Sequence, residues 1–141
     1  MITVKELRLL VKEVVVAAEL EPAVDDREIE SFIAGMRTGI GLLVINTVRR
    51  TATDCTLFSL NEPTFELVEG WKDRFLMHLQ ATSGIPKKVC STILVTLEDK
   101  IKVLLSDQNQ VEIERIGTWQ RSDTGYSLAL DNELKAVLKH V

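Results

Sequence analysis

Several things are scarce in this chain of 141 residues, and each scarcity removes a class of protein. Its two cysteines, Cys55 and Cys90, are too few for a disulfide framework and form no Cys-x-x-Cys pair, so both are expected to be reduced thiols of a cytoplasmic protein. Positive charge is not in excess. The formal net charge of −4 and pI near 5.2 oppose a generic nucleic-acid binder, whose basic surplus would supply counterion release. Long apolar runs are missing too: the most apolar stretch near the start, Val14 to Ala18, falls far short of the roughly 20 residues that span a bilayer. The opening residues Met1 to Glu6 lack the basic region, apolar core and small-residue cleavage site of a signal peptide, so no membrane association or export is expected.

What is present is a respectable stock of core material. Hydrophobic residues make up 45%, enough for one domain or two small ones and too many for a disordered tail. Residues 1–83 hold 9 Lys/Arg against 13 Asp/Glu, whereas residues 84–141 hold 8 against 8, so the acidity belongs to the first part.

Periodicity predicts mostly helix. Thr3 and Glu6 form a capping-box pair ahead of Leu7, Leu10, Val11, Val14 and Ala18, predicting a first helix over about 3–20. After Pro22, Asp25 or Asp26 can cap a second helix that buries Ile29, Phe32, Ile33, Met36, Ile40 and Leu43. Gly35, Gly39 and Gly41 each cost about 1 kcal/mol relative to Ala inside a helix, which points to a close helix crossing or an early end. From Thr47 to Leu60 the residues turn β-prone, with a turn near Thr53-Asp54 and a stop at Asn61-Glu62-Pro63 that predicts a boundary between regions 1–62 and 63–141. A third helix is expected from Thr64 to Ser83, with Phe65, Val68, Trp71, Phe75 and Leu79 inward. Pro86 then opens a fourth, the clearest of all, striped by Val89, Ile93, Leu97, Ile101 and Leu104.

Beyond Ser106-Asp107-Gln108-Asn109, alternation through Val111, Ile113 and Arg115 to Trp119 reads as one half-buried strand, with Gly117 allowing a bulge or a tight approach. A turn at Ser122-Asp123-Thr124-Gly125 leads to a return strand through Tyr126, Leu128 and Leu130, and Asp131 or Asn132 caps a last helix. A shift of 61 residues lays Phe32 on Ile93, Ile33 on Leu94, Met36 on Leu97, Ile40 on Ile101 and Leu43 on Leu104, a match that fits either a degenerate second copy or the chance agreement of two amphipathic helix pairs.

No cluster announces a reaction. His78 and His140 lack partners at metal-ligating or general-base spacing, Cys90 falls near an apolar helix face, and the glycines at 35, 39 and 41 are followed by no phosphate-loop Lys-Ser/Thr. Glu98-Asp99 and Asp25-Asp26 are explained by solvation and capping, and Trp71 and Trp119 by the core. Arg49-Arg50 is a lone pair, too little for a nucleic-acid patch. The chain is therefore expected not to be an enzyme and to need no cofactor or metal.

Gly84-Ile85-Pro86-Lys87-Lys88-Val89, the helix following it to Leu105, and Val111-Glu112-Ile113-Glu114-Arg115-Ile116-Gly117-Thr118-Trp119 resemble the second helix and first strand of the HU/IHF family of histone-like bacterial DNA-bending proteins. Trp71 to Leu79 is similar to that family's first helix, and Leu128 to Leu138 to its closing strand and helix; about 70 residues, from Phe65 onward, are covered. Two departures stand out. Arg115-Ile116-Gly117 replaces the family's Gly-Phe-Gly, and only Gln120 to Gly125 remain where the family extends a basic β-ribbon that wedges an apolar residue, commonly proline, between base steps. No proline follows Pro86, so that mechanism does not carry over.

The resemblance implies an α+β fold, mostly helical, with a small antiparallel hairpin in an HU/IHF-like body, and a homodimer or another protein partner to cover its seam. It implies double-stranded DNA as a partner, bound through the body without intercalation. Lys87 and Lys88 match positions that touch phosphate beside a helix N-terminus, and Arg121 stands at the ribbon's stump. The competing expectation, favoured by acidity and the lost arm, is a protein-interaction or assembly module that uses the body as a scaffold and binds no DNA.

Overall fold

Thr3 and Glu6 close the reciprocal cap that the sequence predicts: Thr3 Oγ1 accepts from the Glu6 N–H at 3.1 Å, and Glu6 Oε1 accepts from the Thr3 N–H at 3.3 Å. Helix α1 (Val4–Ala17) follows, burying Val4, Leu7, Leu10, Val11 and Val15, and ends in a turn where Glu19 takes φ 52°. The same device starts α2 (Asp26–Thr51), where Asp25 Oδ1 accepts from the Glu28 N–H at 2.8 Å and Glu28 Oε1 from the Asp25 N–H at 3.2 Å. The computed structural model describes residues 1–51, 57–60, 63–65, 70–123 and 125–138, with the backbone alone at 45–51 and 57–60. Cys55, the Thr53-Asp54 turn, Val68, His140 and the Arg49-Arg50 side chains lie outside the described residues.

Helix α2 runs past Thr47, where β structure was expected, because the buried row Ile33, Met36, Ile40, Leu43 and Val44 keeps it docked on the core; packing outweighs a weak local β preference. Among the described residues of this stretch, a strand forms at β1 (Leu57–Leu60). The glycines of α2 are places of close approach. A Cβ at Gly39 would stand 2.6 Å from the Phe75 ring, one at Gly35 3.1 Å from the Thr82 methyl, and one at Gly41 2.2 Å from Leu138.

The third helix is shorter than expected: α3 (Trp71–Ser83) begins seven residues after Thr64, behind Gly70 in the left-handed conformation at φ 77°. Phe65 therefore enters the core from outside any helix. It is 1% exposed and meets Phe75 and Trp119 edge to face, with ring centroids 6.0 and 5.6 Å away. Gly84, again left-handed at φ 78°, ends α3, and α4 (Lys87–Asp107) begins after Pro86 at its N-cap.

The stretch read as a single strand from Val111 to Trp119 is two: β2 (Gln110–Ile113) and β3 (Gly117–Ser122), joined by a three-residue loop in which Arg115 takes φ 67°. Gly117 is needed because a Cβ there would lie 2.2 Å from the Ala129 carbonyl oxygen. A two-residue connection leads from Ser122 to Gly125 and strand β4 (Gly125–Leu130). With β1 the strands form one antiparallel sheet in the order β1-β4-β3-β2, larger than the expected hairpin because residues 57–60 pair with β4, Phe58 opposite Leu128. Ile2 covers the β2 edge, its N–H donating to the Glu112 carbonyl at 2.7 Å and its carbonyl accepting from the Glu114 N–H at 2.9 Å. Helix α5 (Asn132–Leu138) closes the described chain, with Asp131 Oδ2 accepting from the Glu133 N–H at 3.1 Å.

The fold is α+β and mostly helical, with a small antiparallel sheet. Helix α1 packs on α2 and α4, α2 on α3 and α5, and α3 on α4. Val111, Ile113, Trp119, Leu128 and Leu130 turn one sheet face inward, and a single core runs from Ile2 to Leu138, drawing on residues either side of position 62.

Candidate functional site

Lys87 opens α4, half-buried, and its Nζ forms an ion pair with Asp73 Oδ1 of α3. Its backbone N–H donates to Gln80 Oε1 at 3.1 Å, while those of Val89 and Cys90 donate to the Pro86 carbonyl at 2.9 and 3.0 Å. The donors a phosphate would seek in this first turn are thus largely committed within the protein. Lys88 is exposed, with its carbonyl accepting from Thr92 Oγ1 at 3.2 Å.

Arg121 lies elsewhere. Exposed on β3, it donates through its backbone N–H to the Asn109 carbonyl at 2.8 Å and through Nη2 to Asn109 Oδ1 at 3.5 Å. Asn109 sits just beyond the far end of α4, and a helix of 21 residues is about 30 Å long. Lys87 and Lys88 share one end of the body, and Arg121 occupies the other.

A second set of cations escaped the sequence reading. Lys5, Arg8 and Lys12, spaced three and four apart on α1, border a cleft of about 380 Å³ completed by Leu9, Asp26, Ile29 and Glu30. The spacing was available as a signal; the acids that oppose it were not, because Arg8 pairs with Glu30 across to α2. Once Arg8 is paired with Glu30, only Lys5 and Lys12 remain, with Asp26 against them, so a surplus of one cation is left and the cleft is no strong anion site. On the other flank of α1, Glu13, Val14, Ala17 and Ala18 face Val89 and Thr92 of α4 across an apolar groove of about 350 Å³.

The buried polar centre is Glu98. Expected on a solvated face, it is 5% exposed, and its Oε1 accepts from the Phe65 N–H at 3.3 Å and from Lys72 Nζ at 3.5 Å. Its place was legible: Leu94, Glu98, Ile101 and Leu105 share one helical stripe, so the acid stands in an apolar row. The contacts anchor the chain ahead of α3 to α4, a structural duty.

Cys90 is fully buried and its Sγ donates to the Ile85 carbonyl at 3.4 Å. Burial pushes its thiol up to about 11, so it stays protonated at neutral pH and is no nucleophile. Glu6 moves the other way: its hydrogen bond from the Thr3 backbone, helped by Lys100, holds the carboxyl below the usual range. His78 is half-buried on α3, with Nε2 unpartnered among the described residues. Among those residues no group of three or more His, Cys, Asp or Glu is placed to hold a metal ion, and no helix is long and apolar enough to cross a membrane.

Comparison with protein-family models, with curated proteins and with solved structures gives no match for this chain.

Proposed function

We propose that this chain is a protein-interaction or assembly module built on an HU/IHF-like body. Support for the body comes from the order of α3, α4, three successive antiparallel strands and α5, with a two-residue turn where the family's DNA-gripping ribbon would stand. The observation that carries the functional half is the dispersal of the cations. Lys87 is paired with Asp73, Arg121 lies the length of α4 away, and the net charge is −4, so among the described residues these cations do not make one phosphate-binding surface. The outer faces of α1 and α4 meanwhile leave Leu9, Val16 and Val95 in solvent. Such a module carries out no reaction and works in the cytoplasm.

Association with duplex DNA through the body is the second reading, favoured by the exposed Lys88 and Arg121. Gel-shift titration separates the two. No shift of duplex DNA is expected at micromolar protein in low salt; a shift that fades steeply with added salt and weakens on double substitution of Lys87 and Lys88 would replace the assembly reading with the DNA one.

A further inference from the structure

We propose that the outer faces of α1 and α4 form a two-fold interface with a second copy of this chain. The inference rests on the assembly reading above and specifies its partner.

The two helices lie side by side and antiparallel. Lys100 Nζ meets Glu6 Oε2 at 3.4 Å near one end, and the groove brings Val14 and Ala17 to Thr92 and Val89 near the other. Each step forward along α1 is therefore a step back along α4. Outward from this pair stand Leu9, Val16 and Val95, exposed by 52%, 67% and 42%, among the exposed charges Lys12, Glu13, Lys88 and Asp99.

A two-fold axis across α4 midway between Thr92 and Val95 makes this face complementary to itself. Antiparallel copies of α4 then set Lys88 against Asp99 of the second copy, and Asp99 against Lys88, with Thr92 opposite Val95 between them. The point of α1 beside that axis, by the register just given, falls between Lys12 and Glu13. The same operation therefore sets Lys12 against Glu13 and Leu9 against Val16, each twice. One axis satisfies both helices, pairing opposite charges and covering the exposed apolar side chains. An axis at Asp99 would instead place that carboxylate against its own copy, a repulsive register.

Two helices about 10 Å apart and 20 to 30 Å long offer roughly 500 Å² from each copy, near the lower limit of specific interfaces. Micromolar dissociation is expected.

Sedimentation velocity of the full chain without DNA, from micromolar to near-millimolar protein, tests the proposal. A monomer–dimer equilibrium is expected, weakened about tenfold or more by Leu9→Glu. Lys88→Glu alone should weaken it about tenfold, and adding Asp99→Lys should restore it to within about twofold, because the swapped pair is again opposite in sign. All three positions are exposed, and circular dichroism checks that each variant is folded. A chain that stays monomeric throughout, or a dimer that neither Leu9→Glu nor Lys88→Glu disturbs, overturns this interface. Neither result touches the assembly reading, which the gel shift decides separately.

Discussion

Helices α2 and α4 begin at positions 61 residues apart, Asp26 and Lys87, and bury matching rows: Phe32, Ile33, Met36 and Ile40 in one, Ile93, Leu94, Leu97 and Ile101 in the other. They pack by opposite means. Helix α2 removes side chains, so that Phe75 lies against the bare backbone at Gly39 and Leu138 against Gly41. Helix α4 has no glycine and packs with aliphatic bulk, admitting one carboxylate, Glu98, into its buried stripe. Glycine weakens a helix by about 1 kcal/mol per site, so α2 depends more on its neighbours for its stability than α4 does. The same row of buried positions can thus serve two kinds of contact, and what lies between the rows decides which.

Filling α2 breaks the contrast most sharply. Gly39→Leu would drive the Phe75 ring from its place and should cost about 3 kcal/mol or more, read as a lower urea midpoint at an unchanged slope. Emptying the exceptional position of α4 should cost somewhat less. Glu98→Ala strands the buried Phe65 N–H and leaves a small cavity, for a loss of about 2 kcal/mol, whereas Glu98→Gln keeps an acceptor and should lose about half of that. Equal losses for the two variants would show that the charge facing Lys72, and not the hydrogen bond to Phe65, is what matters. The smallest effect belongs to Gly35→Ala. Its new methyl meets Thr82 at 3.1 Å, a contact the threonine can ease slightly, while the helix gains about 1 kcal/mol of propensity; the net change in thermal midpoint should be close to zero. A large loss there would mean that α2 and α3 are as tightly held at Gly35 as at Gly39.

Much of this fold is readable in the chain. The caps at Thr3–Glu6 and Asp25–Glu28, the stripe of α4 and the turn before Gly125 depend on neighbours a few residues apart, and local chemistry settles them. The break between β2 and β3 was hidden because Val111, Ile113 and Trp119 alternate smoothly through it; the left-handed Arg115 marks it only once the sheet is formed. Phe65 reads as part of a helical stripe, yet α3 starts only after Gly70, and the ring lies outside it, edge to face with Phe75 and Trp119. The candidate cations were legible as residues and not as a site. Nothing near Lys87 in sequence shows that Asp73 will neutralise it, nor that Arg121 will be carried to the opposite end of α4.

What the sequence alone determined is the set of helices that begin at a good cap and carry an apolar stripe, together with an acidic balance that weighs against a strongly DNA-binding surface. Tertiary structure alone decided where α2 and α3 may touch, that residues 57–60 join the sheet, that Glu98 is buried, and that Lys87 and Arg121 part company. The physical reason is range. Capping and periodicity act over one or two helical turns, whereas burial, ion pairing and strand partnership depend on which distant segments the closing core brings together.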